Sequence, residues 1–147
     1  MILIFALTIF AITPEQEVST KSYWIGFNDI IHNFNKAVNA KPNTAALEIK
    51  QTVAKIRSMS IKNVDSLVLK YAEKRISLAT EYAEFLDSFS LSDEISYKVD
   101  FPIKEKRKKY QNIQKIYQNL YDKHKDMDTE QEIILAYLKE KYYIDKK

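Results

Sequence analysis

The hydrophobic positions of this chain form one unbroken apolar run and then a series of stripes at helical spacing. The run is residues 1–12, MILIFALTIFAI, with no charged side chain, no side-chain amide and a single hydroxyl, Thr8. Thr13-Pro14-Glu15-Gln16 closes it with the signature of a helix start: Thr at the N-cap, Pro at the first helical position, Gln three residues after the cap. Glu15 and Glu17 add negative charge at the positive end of that helix. The chain therefore divides into an apolar leader, 1–13, and a body, 14–147.

Within the body, Trp24, Phe27, Ile31, Phe34 and Val38 recur in steps of three and four, with Tyr23 and Ile30 widening the stripe, and predict a helix over about 14–39. Gly26 lies inside it, where it costs about 1 kcal/mol against Ala; a close helix crossing is the expected reason. Lys41-Pro42-Asn43 breaks the pattern. Ala46, Ile49, Val53 and Ile56 predict a second helix, capped by Asn43 or Thr44, to about residue 59. Asn63 is the expected cap of a third, to about 88, along Val64, Leu67, Val68, Tyr71, Leu78, Tyr82, Phe85 and Phe89, with a polar interruption at Lys74 and Arg75. Residues 90–102 read as irregular, with a short alternating strand over 97–101. A fourth helix, 102–124, would turn Ile103, Tyr110, Ile113, Tyr117, Leu120 and Tyr121 inward. After a loop at 125–128, Thr129 and Glu132 make a capping box for a last helix carrying Ile133, Ile134, Tyr137 and Leu138.

The leader bears on location. As a helix, twelve residues reach about 18 Å, short of the ~30 Å hydrocarbon core. Its length suits the apolar region of a secretory signal peptide, roughly 7–15 residues, with Ala11 and Thr13 as the small residues before a cut. No Lys or Arg precedes the run and Pro14 would follow the cut, both departures from that pattern. The expectation is export to a bacterial periplasm or envelope. The alternatives are a packed element of a cytoplasmic protein and a retained short anchor.

Composition narrows the fold and the chemistry. Of 147 residues, 46% are hydrophobic and 29% charged, a folded-domain balance. The single glycine, Gly26, and three prolines are too few for the tight turns of a strand-rich fold or for a glycine-rich phosphate loop. The class expected is all-α, an antiparallel bundle of four to five helices. The chain has no cysteine, which excludes disulfides, thiolate metal sites and thiol nucleophiles. Lys far outnumbers Arg, present only at 57, 75 and 107, and with the abundant Ile, Asn and Tyr this reads as AT-rich coding bias.

No catalytic or cofactor constellation stands out, so no catalytic residue, metal or cofactor is assigned. Asp29 and His32 are three apart but lack a second ligand pair, and His124 reads as a cation near a helix C-terminus. Glu81 and Glu84 read as a solvated pair. The basic run Lys104-Glu105-Lys106-Arg107-Lys108-Lys109 could meet an anionic membrane surface or a partner; nucleic acid is the weakest reading. Its simplest explanation is internal. A hairpin folded about residue 96 would set Glu84 opposite Lys108 and Asp87 opposite Glu105 and its basic neighbours. Ten tyrosines suit half-buried seams and protein interfaces, and Tyr142, Tyr143 and Ile144 form the expected exposed patch. The candidate contact residues are therefore Tyr142, Tyr143, Ile144, Lys106, Arg107, Lys108 and Lys109. The expected function is a non-enzymatic module that binds another protein, as an inhibitor, immunity-type or scaffold component. The alternative is a small-molecule or lipid carrier using an aromatic interior around Trp24, Phe27 and Tyr82.

Overall fold

The computed structural model describes residues 12–40, 44–98 and 103–144. They form an all-α bundle of four helices: α1 (Pro14–Ala40), α2 (Ala45–Arg57), α3 (Ser66–Lys98) and α4 (Ile103–Tyr142). The apolar leader up to residue 11, the predicted cap Asn43 and the turn around Pro102 lie outside the described residues. α3 is the central element, packed on α2 and on α4, while α1 packs chiefly on α2.

α1 starts where the capping box places it. The Gln16 amide donates to Thr13 Oγ1 at 3.1 Å, and the first helical bond runs from the Glu17 amide to the Thr13 carbonyl. Its buried stripe, Tyr23, Trp24 and Phe27, meets Ile49, Val53 and Ile56 of α2 and Val68, Tyr71 and Ala72 of α3. Trp24, Phe27 and Tyr71 form an aromatic knot with centroids 6.0–6.2 Å apart, a spacing at which ring pairs add about 0.5–1.5 kcal/mol beyond area burial. At Gly26, a Cβ would stand 2.9 Å from Met59 Cε. The glycine makes room for the methionine methyl just past the end of α2.

α3 begins two residues later than its predicted cap. Asn63 adopts a left-handed turn at φ 60°, a conformation that Asn tolerates better than most residues. Asp65 is the residue that caps, its Oδ1 accepting the Leu67 amide at 2.8 Å. The helix continues through Lys74 and Arg75, both of which find partners on α4: Lys74 Nζ donates to Glu130 Oε1 and Arg75 Nη2 to Gln131, while Arg75 Nε donates to the Tyr71 hydroxyl one turn back on α3. It also runs ten residues beyond the predicted end, so that Tyr97 and Lys98, expected in a strand, are helical.

The two predicted C-terminal helices are one. α4 passes without a break through 125–128, and the Thr129 hydroxyl bonds back to the Lys125 carbonyl, so it caps nothing. Asp126 and Asp128 are modest helix formers, but Met127 between them is buried in the core, in a row with Leu120 and Ile134, and Asp128 pairs with Arg75 and His124. Packing overrides local propensity here.

The hairpin register also differs from expectation. Lys123 pairs with Glu81 and Lys74 with Glu130, which places the fold-over near residue 102. Moving a turn by a given number of residues shifts the facing pair by twice that number. Glu84 therefore lies along Lys115, Ile116, Asn119 and Leu120 and away from Lys108, and Asp87 pairs with Lys50 of α2 at 2.6 Å. The predicted inward face of α4 fails for the same reason. Leu120 is buried and Ile113 half-buried, but Tyr110, Tyr117 and Tyr121 are each more than half exposed.

This geometry is checked by denaturant titration. Leu120→Ala and Leu138→Ala should each cost about 2–5 kcal/mol, the loss for a truncated core leucine. Tyr110→Ala and Tyr121→Ala should stay within about 0.5 kcal/mol, as substitutions of exposed residues do.

Candidate functional site

Two features of the bundle bear on function. One holds α4 in place; the other is what α4 then presents.

The first is centred on Asp65, which is 3% exposed although it is a carboxylate. Oδ2 accepts the Tyr142 hydroxyl at 2.6 Å, the Tyr137 hydroxyl at 2.7 Å and Lys141 Nζ at 3.0 Å. The Asp65 amide donates to Thr20 Oγ1 of α1 at 3.0 Å, and Lys141 Nζ also donates to the Tyr137 hydroxyl. One side chain thus joins the start of α3, the last two turns of α4 and, through its own amide, α1. Burial alone would raise the Asp65 pKa. The phenol bonds from Tyr137 and Tyr142, the Leu67 amide and Lys141 outweigh it and hold the carboxyl at about 2. Burial and the Asp65 carboxylate push Tyr142 up to about 12. Lys141 is raised by its bonds to Tyr137 and to Asp65, against a smaller opposing effect of burial. The group is a neutralised, saturated cluster: among the described residues no buried side-chain polar atom lacks a partner.

The cluster decides the fate of the predicted C-terminal patch. Tyr142, expected to be exposed, is fully buried against Asp65, and Ile144 is half-buried against the core. Tyr143 alone of the three is open to solvent, with a left-handed φ of 55° just after the end of α4.

The second feature lies farther along α4. Asp65 fixes its C-terminal turns, and the core row on α4 ends at Leu120. The helix is 40 residues long, about 60 Å at 1.5 Å per residue, so its N-terminal part extends beyond the core row, where α3 is its main neighbour among the described residues. There, Tyr82, Phe85 and Leu86 of α3 and Ile113 and Tyr117 of α4 line an open groove of about 1070 Å³. The Phe85 and Tyr117 rings meet at 6.4 Å, tilted. Tyr110, Tyr117 and Tyr121 follow one another at spacings of seven and four and so share a face of α4. Gln111, Gln114, Gln118 and Lys115 complete the groove wall.

Trp24 and Phe27, expected to line a carrier interior with Tyr82, belong instead to the packed aromatic knot, and Tyr82 stacks on Phe85 in the groove. The basic run sits in the first turns of α4, with Arg107 and Lys108 exposed and Lys109 half-buried; the side chain of Lys106 is outside the described residues. His32 is exposed, and His124 is largely exposed beside Asp128. Among the described residues, no group of three or more His, Cys, Asp or Glu side chains could hold a metal ion.

Sequence reasoning missed the outward tyrosine row and the role of Asp65. The row's spacing was visible, but its direction depends on how far the core extends. Asp65 gave no local signal beyond its place before a helix, because its partners lie 72–77 residues away.

The molecule is thus an all-α four-helix bundle with a saturated polar latch at one end and a solvent-open aromatic groove along its longest helix. Compared with protein-family models, with curated proteins and with solved structures, the chain matches none.

The latch has a measurable pH signature. A carboxyl whose pKa is lowered by folding stabilises the fold above its ordinary value, 3.8, and the benefit disappears as the pH falls toward about 2. The shift corresponds to about 2 kcal/mol at neutral pH. Asp65→Asn should lower stability at pH 7 by about 2–3 kcal/mol, the scale for losing bonds to a charged group, and should flatten the acid limb between pH 4 and 2 in urea titrations.

Proposed function

We propose that this protein is an exported, non-enzymatic helical module that binds another protein through the outer face of the α3–α4 hairpin. The observation that carries the reading is the row of exposed rings, Tyr110, Tyr117 and Tyr121, beside an open groove floored by Phe85, Leu86 and Ile113. Tyrosine is enriched where proteins meet, because its ring supplies apolar area at low entropic cost while its hydroxyl stays hydrated. A groove between two helices, open along its length, suits an amphipathic helix laid into it.

The charges nearby support the same reading. Lys104, Lys106, Arg107, Lys108 and Lys109 lie at the positive end of α4, where each cation costs a few tenths of a kcal/mol. The two acidic residues expected opposite them lie elsewhere, Asp87 on Lys50 and Glu84 along Lys115, Ile116 and Asn119. Lys106, Arg107, Lys108 and Lys109 are retained as contact residues for a partner with an acidic rim, on the exposure of Arg107 and Lys108 at the start of α4. Tyr143 remains a further candidate; Tyr142 and Ile144 do not, because both pack into the body of the fold. The carrier reading would have to use this same groove, without Trp24 and Phe27. Export rests on the sequence of residues 1–12 alone.

The test is a photoreactive group at Gln114, an exposed groove position, in the full chain added to extract of the source cells. The expected result is one stoichiometric cross-linked protein, with affinity reduced roughly ten-fold or more in Tyr110→Ala/Tyr117→Ala/Tyr121→Ala, since interface tyrosines commonly carry more than 1 kcal/mol each. No stoichiometric partner, or an unchanged affinity in a triple variant that keeps its helical circular dichroism, would overturn the proposal. Cross-linking to a small lipid alone would favour the carrier.

A further inference from the structure

The helix that carries the exposed rings also carries two charge blocks of opposite sign. Residues 104–109 hold five cations and one carboxylate, net +4. Residues 126–132 hold four carboxylates, Asp126, Asp128, Glu130 and Glu132, and no cation, net −4. Both blocks belong to α4. Arg107 and Asp128 are 21 residues apart, about 32 Å at 1.5 Å per residue. The midpoint between them falls at Tyr117 and Gln118, which both line the groove.

The rings and the acidic block share one line along the helix. Tyr110, Tyr117, Tyr121 and Asp128 follow one another at spacings of seven, four and seven, so they lie on one face, and all four are exposed. Asp128 pairs with Arg75 of α3 at 3.6 Å and with His124 at 3.5 Å, yet its side chain stays 61% exposed. Arg107 and Lys108 are exposed at the other end, where the positive pole of the α4 dipole disfavours them. A second copy of this chain matches the pattern. Turned antiparallel about a two-fold axis at Tyr117, it sets residues 104–109 of each copy against residues 126–132 of the other, at both ends, with the rings of both copies between. A parallel copy would set like charge on like, so the charges select the antiparallel arrangement.

We propose that the partner of the α3–α4 face is a second copy of this chain, docked groove to groove in an antiparallel two-fold dimer. The inference rests on the reading of that face as a protein-binding surface and names its occupant. α4 of one copy lies along α4 of the other and α3 along α3, so two grooves close on each other as the core of a four-helix layer. Tyr82, Phe85, Leu86, Ile113 and Tyr117 enter that core from both sides. Such an interface is isologous: each copy's Gln114 faces the other's Tyr121. The area suffices. A face about 32 Å long and two helices, about 20 Å, wide covers roughly 600 Å² per copy, or about 1,200 Å² in all, the lower edge of the range for specific dimers.

Sedimentation equilibrium of the purified full chain across the micromolar range should reach twice the mass of one chain. Lys106→Glu/Arg107→Glu and Asp128→Lys/Glu132→Lys, each with native helicity, should dimerise at least roughly ten-fold more weakly, because each sets like charges against like in its own dimer. An equimolar mixture of the two variants should associate as the native chain does, since both ends of the mixed dimer are then complementary. A loss of folding would not be rescued by mixing. A photoreactive group at Gln114 should join the purified chain to itself. A chain that stays monomeric throughout the series, or a mixture that associates no better than either variant alone, overturns the proposal. If the purified chain is monomeric while the group at Gln114 captures a different protein from extract, this inference fails and the protein-binding reading stands. If it captures nothing in either setting, both fail.

Discussion

The Asp65 carboxylate organises this fold. An isolated buried carboxylate is too costly to persist ionised, and this one persists because four donors converge on it: an amide of its own helix, two phenols and an ammonium. Each donor constrains something different. The Leu67 amide starts α3. Tyr137, Lys141 and Tyr142 fix the rotation of the last two turns of α4, and the Asp65 amide engages Thr20 of α1. Rotating α4 by one residue would aim these groups away from the acceptor and leave a bare charge in the core. Hydrophobic burial favours many neighbouring packings almost equally; this cluster selects one of them.

With its C-terminal half fixed, α4 behaves as a helix with two environments. From Leu120 to Tyr142 it is a core element whose buried positions include Met127, Ile134 and Leu138. Before Leu120 its main neighbour among the described residues is α3, and Tyr110, Tyr117 and Tyr121 are left exposed by them. The tyrosines at 110, 117 and 121 therefore follow from a helix that outlasts its bundle. The polar pairs between α3 and α4 are exposed and contribute little individually, but they set the register. A register centred near residue 102 sets Glu81 opposite Lys123 and Lys74 opposite Glu130, in place of the pairing about residue 96 that the charge pattern suggests.

Much of this architecture was legible in the sequence. The first body helix, with its capping box at Thr13 and its stripe of Tyr23, Trp24 and Phe27, lies where its period places it, and so does α2 with Ile49, Val53 and Ile56. The scarcity of glycine and proline identified the class. What was not legible had physical causes. Residues 90–94 read as an irregular stretch with at most a short helical turn, and the aspartates at 126 and 128 as a loop, yet helices continue through both stretches, the second secured by burial of Met127. Tyr110, Tyr117 and Tyr121 have a helical period that is silent about direction, because a stripe can face a core or a partner equally well. Tyr142 looked like a loose end because nothing local points to a carboxylate 77 residues earlier. The groove was hidden for a similar reason: it exists only in the register that α3 and α4 adopt.

The distance along the chain between Asp65 and its donors has a consequence for biosynthesis. A ribosome delivers Thr20, Asp65 and the aromatic knot of α1 and α3 well before Tyr137, which follows Asp65 by 72 residues. During that interval the carboxylate has only its own helix to bond, and water must supply the rest. The first three helices can collapse around Trp24, Phe27 and Tyr71, but the nascent chain keeps a hydrated charge at the seam where α4 will dock. Only once the last turns of α4 have been made can Tyr137, Lys141 and Tyr142 take the place of that water.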